Sequence, residues 1–181
     1  AGRVDEAVQM DKEEWISYRN RLETSARIGA EEYGLTVGIH AHAAGFMDFE
    51  PELERLLSEV DDNILKICFD TGHHSYAGFD PVKFVQKYIS RISYVHFKDV
   101  NPEIKQKVIE NRTGFYDACG QGIFCNLGDG DVDFPTVRKI LIESEFKGWC
   151  TVEQDCDPLL DPNPLSDAQV NREYLETIGF S

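Results

Sequence analysis

The sequence predicts an α/β protein built around a parallel sheet. Segments with strand character alternate with helical segments along most of the 181-residue chain, and each strand segment ends in charged or imidazole side chains. Strands separated by helices form βαβ units, whose strands run parallel. Four such strands can be recognised, whereas a complete (β/α) barrel needs eight strands and about 250 residues. We therefore expect about four β/α units of a barrel, or a doubly wound open sheet.

The predicted elements follow one another in a regular order. The first is a helix that begins after the N-cap Asp11 and ends at Tyr33, because Glu14 completes a capping box and Gly34 stops the helix. After it the predicted order is strand 35–42, helix 51–60, strand 65–70, helix 81–90, strand 92–99, irregular segment 101–133, helix 134–145, strand 149–153 and helix 166–178. Irregular segments of that length are often functional loops. The whole chain, residues 1–181, is expected to be a single domain.

Composition excludes several classes of partner and location. The chain has 33 Asp and Glu against 18 Lys and Arg, a net charge of −15, which repels nucleic acids and anionic membrane surfaces. No apolar run reaches the length of a membrane span. Its five cysteines include no C-x-x-C pair, so we expect neither a disulfide framework nor a structural zinc site. A reducing, cytoplasmic location is expected.

Polar side chains at the ends of the four strands carry the main functional signal. Residues i and i+2 share a face of a strand, and in each strand the polar residues occupy one parity while aliphatic residues occupy the other. Ligands of parallel α/β sheets bind beyond the carboxyl ends of the strands, where these side chains would converge. The strand-end set is His40, His42, Asp70, His96, Lys98 and Glu153.

Imidazole and carboxylate groups that converge in this way are suited to a divalent cation. A single strand-end His or Asp is more often a hydrogen-bonded core or loop residue. Four ligand residues in register favour metal binding instead. The residue types do not distinguish manganese and cobalt, which we expect first, from magnesium and zinc.

The stretch LKICFDTGHHSYAGFDPVKFVQKYISRISYVHFKDV, followed by GDGDVDF and GWCTVEQD, resembles the C-terminal half of xylose isomerase-like TIM barrels. Within that superfamily of sugar isomerases and epimerases it is most similar to the inosose (myo-inosose-2) dehydratases, from roughly Gly34 to Ile178. The resemblance implies a C-terminal half-barrel whose metal ligands are His40, Asp70, His96 and Glu153. His40 stands where most of the isomerases and epimerases have Glu, which argues against a two-glutamate proton shuttle.

The resemblance implies dehydration of a small polyhydroxylated ketone, an inosose (2-keto-myo-inositol), through a metal-stabilised enediolate in inositol catabolism. The metal would polarise the carbonyl, a base would remove the adjacent proton, and an acid would help the β-hydroxyl to leave. The expected catalytic residues are Glu153, His73, Lys98 and His42. Glu153 or a histidine is expected to be the base, and Lys98 to assist the oxyanion or the departing hydroxide. A salt bridge from Lys98 to Asp99 or another nearby carboxylate is the structural alternative.

Other functions stay open from the sequence. A ketose epimerase or hydroxypyruvate-type isomerase shares the enediolate step but returns the proton instead of expelling water. A metal-dependent apurinic endonuclease is disfavoured by the negative charge. The chain could also be a non-catalytic barrel fragment or interaction module. Four strands leave two open sheet edges, so we expect the chain to pair with an N-terminal half or to self-associate.

Overall fold

The computed structural model describes residues 10–157, 159 and 163–180. The other positions of the expected 1–181 domain lie outside the described residues. The sheet contains the parallel strands β1 (Gly38–His40), β2 (Lys66–Asp70), β3 (Ile92–Phe97) and β6 (Trp149–Val152), in the spatial order β1-β2-β3-β6. This order follows the chain without reversal, as in the wall of a barrel, whereas a doubly wound sheet reverses direction at a switch point. The barrel-type prediction is confirmed, and the doubly wound alternative is wrong.

Helices connect the strands at the predicted places. The helix α1 begins after Asp11, whose carboxylate accepts from the N–H groups of Glu13 and Glu14, and Gly34 ends it with φ of 66°. The helices found at predicted places are α1 (Lys12–Tyr33), α2 (Glu50–Glu59), α4 (Pro81–Tyr88) with a following 3₁₀ turn (Ile89–Arg91), α7 (Phe134–Glu143) and α8 (Pro164–Thr177). None of the helices in the described ranges is long and apolar enough to cross a bilayer.

The core lies between the sheet and the helices on one side of it. Ile67, Phe69, Val95 and Phe97 of the central strands are buried there, among apolar side chains of the helices. Residues of the opposite parity, such as Cys68 and Tyr94, line an open groove on the inner face of the sheet. The predicted separation of polar and aliphatic strand faces is confirmed.

Three parts of the prediction are wrong. The strand predicted over 35–42 is paired only from Gly38 to His40, because β1 has a single neighbour, β2, and the chain turns after His40. No element was predicted between residues 70 and 81, but a short helix, α3 (Thr71–Tyr76), directly follows β2 and is capped by Asp70. The segment predicted to be irregular contains α5 (Pro102–Asn111), α6 (Phe115–Gly120) and β5 (Phe124–Cys125), which pairs antiparallel with β4 (Asp99–Val100) just before the segment.

The rest of that segment is held in place by the buried carboxylate of Asp99. It accepts the backbone N–H groups of Val100, Gly128, Gly130 and Val132 at 2.8–3.1 Å. Because Asp99 is used in this way, it is not the salt-bridge partner of Lys98. The glycine-rich loop 126–132 is therefore an ordered part of the fold.

Candidate metal centre

Four side chains meet at the carboxyl ends of the parallel strands. His40 ends β1, Asp70 ends β2, His96 lies near the end of β3, and Glu153 directly follows β6. The strand register places Asp70 beside His96. One ligand atom from each of the four residues lies within 4.8 Å of the others. The convergence expected from strand-end positions is therefore present.

The ligand atoms of this group face one another without forming hydrogen bonds. Oδ2 of Asp70 is 3.6 Å from Nε2 of His40 and 3.6 Å from Nδ1 of His96. Nδ1 of His96 is 2.7 Å from Oε2 of Glu153, but without hydrogen-bond alignment. All four atoms are buried and have no hydrogen-bond partner. Such orphaned atoms are costly unless something else satisfies them, and two imidazole nitrogens with two carboxylate oxygens suit a divalent cation.

The charged groups of the cluster shift the pKa values of its imidazole and carboxylate groups. The nearby Asp70 carboxylate, then Cys68 and Glu153, raise the pKa of His96 to about 12. Burial raises the pKa of Asp70, but His40, His96, His73 and Lys98 outweigh it and hold that pKa well below its usual value. His96 therefore carries a proton in the metal-free protein, and a metal ion would replace it, because a ligating imidazole is neutral.

Lys98 links this cluster to a second group of side chains. Its side chain is completely buried, and Nζ lies 2.8 Å from Oδ2 of Asp155 and 2.9 Å from Nε2 of His73. It also lies 3.3 Å from Oδ2 of Asp70 and 3.3 Å from Oε2 of Glu153. Burial lowers the pKa of Lys98, but the carboxylates, Asp70 first, outweigh it and leave the pKa raised. The expected salt bridge is thus formed with neighbouring carboxylates.

The second group consists of His42, His73 and Asp155, with ligand atoms also within 4.8 Å of one another. The Nζ atom of Lys98 already contacts both His73 and Asp155. The ammonium group of Lys98 therefore takes the place that a metal ion would need in this second group. The rings of His42 and His73 lie 3.9 Å apart, centroid to centroid. Burial lowers the pKa of His73 to about 2, so its imidazole is neutral near pH 7. His42, by contrast, is exposed.

All residues of the expected site lie in this one patch, including His73 from α3. Sequence reasoning missed Asp155. A signal was present, because Asp155 stands two residues after Glu153 and shares its parity. It was overlooked because the strand was expected to end at residue 153, and alternation says nothing about the loop beyond it.

Comparisons with known proteins agree with the barrel-type fold. Residues 1–178 match the family described as xylose isomerase-like TIM barrel. An inosose dehydratase of Clostridium botulinum (strain Alaska E43 / Type E3) is 35% identical over 172 residues, which cover 95% of this chain and 57% of the relative. The chain thus spans little more than half of that relative's length.

Two solved structures share the fold. The probable 3-DHS dehydratase AsbF of Bacillus anthracis has a TM-score of 0.74 at 20% identity, covering 97% of this chain and 61% of that one. The IOLI protein with a binding zinc atom has a TM-score of 0.70 at 16% identity, covering 98% and 61%. At these identities the two structures support the fold, a partial TIM barrel.

Proposed function

Because the chain belongs to the xylose isomerase-like TIM barrel family, we propose that it is the C-terminal, metal-binding part of an inosose dehydratase-type lyase. Its substrate would be a small polyhydroxylated ketone such as 2-keto-myo-inositol. The observation that carries the proposal is the set of four buried, orphaned ligand atoms at the strand ends. The similarity to an inosose dehydratase supports dehydration as the reaction.

The proposed metal site consists of His40, Asp70, His96 and Glu153. Manganese or cobalt is expected first, with magnesium or zinc as alternatives, since all accept mixed nitrogen and oxygen ligands. When bound, the ion supplies Lewis acidity that polarises a ketone and makes the adjacent C–H bond acidic. Cys68 helps to orient His96, because its Sγ contacts Nε2 at 3.6 Å and leaves Nδ1 facing the cluster.

The proton transfers are assigned to residues of this chain. His42 is exposed, and its Nδ1 lies 2.7 Å from the carbonyl oxygen of Ala43, which can only accept, so the lone pair is on Nε2. That nitrogen, or Glu153, would remove the proton next to the carbonyl. Lys98 would assist the oxyanion or the departing hydroxide. Nε2 of His73 accepts a hydrogen bond from the ammonium group of Lys98 and so helps to position it.

The first test measures bound metal after purification, together with water loss from an inosose when manganese or cobalt is added. The wild-type chain is expected to hold about one divalent ion and to form the enone product. Asp70→Ala removes a buried ligand and is expected to abolish both. Asp62→Ala, which changes an exposed aspartate on a turn, is the matched control and should keep both.

Each outcome has a distinct meaning. Metal binding that persists in Asp70→Ala would contradict the proposed site. Stoichiometric metal without water loss would contradict the dehydratase assignment. Lys98→Met is expected to lower turnover by about 10²- to 10⁴-fold, the usual contribution of an acid or base. Undiminished turnover would remove Lys98 from the mechanism.

The ketose epimerase alternative differs in its product, because the abstracted proton returns to carbon. Product analysis in deuterated water separates the two reactions, since an epimerase yields a ketose labelled at carbon. The ligand set favours dehydration, since His40 replaces one of the two glutamates that the epimerase mechanism uses as paired bases.

A further inference from the structure

The turn that follows β1 has an unusual backbone for its sequence. Its four residues are 42–45, and the N–H of Gly45 donates to the carbonyl of His42 at 3.1 Å. The third residue, Ala44, has φ of 68°, in the left-handed region. Type II turns require positive φ at this position, and glycine or asparagine normally supplies it. An alanine here costs free energy, so another contact must hold the turn in this form.

The peptide unit between Ala43 and Ala44 is held at both ends. Its carbonyl oxygen accepts from Nδ1 of His42 at 2.7 Å. Its N–H donates to Oδ2 of Asp48 at 2.8 Å. The preceding N–H, that of Ala43, donates to Nδ1 of His73 at 3.3 Å. The ring of His42 therefore depends on the orientation of the Ala43–Ala44 peptide unit.

We propose that Asp48 is a positioning residue that sets the ring orientation and tautomer of His42. The proposal rests on the proposed function, in which His42 can act as the base. Type I and type II turns differ mainly by rotation of the central peptide. Without an acceptor at Asp48, Ala44 would favour the unstrained type I form, and the Ala43 carbonyl would turn away from His42.

The burial of Asp48 supports a functional reason for its presence. Asp48 is only 6% exposed, and its Oδ1 has no hydrogen-bond partner. The hydroxyl of Tyr76, also buried, has none. A buried carboxylate with a free oxygen is expensive for a fold. The hydrogen bond that Asp48 accepts from the N–H of Ala44 is the stabilising contact that this buried carboxylate provides.

The expected tautomer of His42 follows from its contact. His42 carries its proton on Nδ1, because the Ala43 carbonyl can only accept, and Nε2 stays free for substrate. The bond that a ring nitrogen makes decides its tautomer.

The test is imidazole ¹⁵N NMR on the full chain, metal-free and at alkaline pH, above the ordinary pKa of an imidazole. The five histidines make assignment by single His→Gln variants practical. The wild type is expected to show His42 protonated at Nδ1. A His42 proton on Nε2 instead would overturn the proposal, whatever the variants do.

Variants then isolate the carboxylate. Asp48→Leu removes the acceptor and is expected to lose the Nδ1–H signal of His42, whereas Asp48→Asn keeps an acceptor oxygen and should retain it. Asp62→Leu is the exposed control and should change nothing. If Asp48→Leu does not fold by circular dichroism, Asp48→Ala takes its place. An unchanged His42 tautomer in the folded variant without an acceptor would contradict the proposal.

Activity gives a separate readout. Where the chain dehydrates an inosose, Asp48→Leu is expected to lower kcat roughly 10- to 100-fold with little change in KM, and Asp48→Asn to restore it. The NMR measurement needs neither metal nor substrate. The expected His42 tautomer without dehydration would therefore reject the proposed function and leave the positioning role intact.

Discussion

Gly72 shows how closely single residues are fitted around Lys98. A Cβ at position 72 would lie 2.4 Å from Cγ of Lys98 and 2.9 Å from its Cδ. The alkyl chain of Lys98 passes over the backbone of α3 at this point, and only glycine leaves room for it. The glycine in the sequence DTGH, residues 70–73, is thus explained by the path of a lysine that is distant in sequence.

We expect Gly72→Ala to displace Lys98 from Asp155 and His73. In the wild type Lys98 is completely buried, so an amine-acylating reagent should modify it slowly, whereas displacement should speed its modification several-fold. Mass spectrometry of the labelled chain measures this. Gly120→Ala is the control, because its Cβ would meet nothing within 4 Å. Equal labelling of Lys98 in both variants would contradict the steric explanation.

Asp48 should make stability depend on pH. Burial raises its pKa from 3.8 to about 7, although the Ala44 N–H opposes this shift. A raised folded-state pKa means that the unfolded chain ionises first, so stability falls as pH rises from about 4 to about 7. The loss is on the order of 4 kcal/mol. Asp48→Asn stays neutral, so its stability relative to wild type should increase across this range in urea titrations. A difference that is constant with pH would show that Asp48 does not titrate in this way.

At the level of elements, the helices and strands position the side chains of the site, and the buried carboxylate of Asp99 organises the loop 126–132. The α3 helix is only one turn and a half long, yet it carries His73 to Lys98, because it begins at its N-cap Asp70, at the end of β2. The loop 126–132 has no repeating backbone hydrogen bonds of its own. Its N–H groups converge on Asp99 instead, as in other anion-binding backbone concavities.

We expect Asp99→Asn to destabilise the protein by about 2 kcal/mol or more, because the amide offers one acceptor oxygen where the carboxylate has two. Urea denaturation measures the loss, and hydrogen exchange of Gly128 and Gly130 should accelerate more than exchange in β3. Asp117→Asn, at an exposed position of α6, is the matched control. Undiminished protection of the two glycines would show that the loop is held by other contacts.

At the scale of the whole molecule, the sheet has two unpaired edges within the described residues. β1 pairs with β2 alone and β6 with β3 alone. On the inner face, Trp149 is 76% exposed. Open edges and exposed apolar side chains promote association. They lie where the remaining strands of a barrel would pack.

We therefore expect this polypeptide to sediment as a species larger than its 20.6 kDa monomer, or to associate with an added N-terminal half of a related barrel. Trp149→Lys should weaken the association by placing charge on the inner face. Ile142→Lys changes a residue that is 55% exposed on α7 and should have no effect. A monodisperse 20.6 kDa species would contradict this expectation.

The local sequence pattern was sufficient for the main elements and for the convergence of the strand-end side chains. Alternation along a strand and capping at a helix end are interactions between residues close in the chain, so they can be read from types and spacing. This is why His40, Asp70, His96 and Glu153 were expected on one edge of the sheet. It is also why α1 was expected with its Asp11 cap.

Contacts between distant segments could not be read in this way. The pairing of Lys98 with Asp155, the clearance over Gly72 and the turn held by Asp48 each depend on backbone positions set by packing. The short elements within 101–133 have too little periodicity of their own, and they form because Asp99 and the neighbouring core hold them. Local preferences therefore suffice for regular elements, whereas side-chain partners across the fold require the distances that only packing establishes.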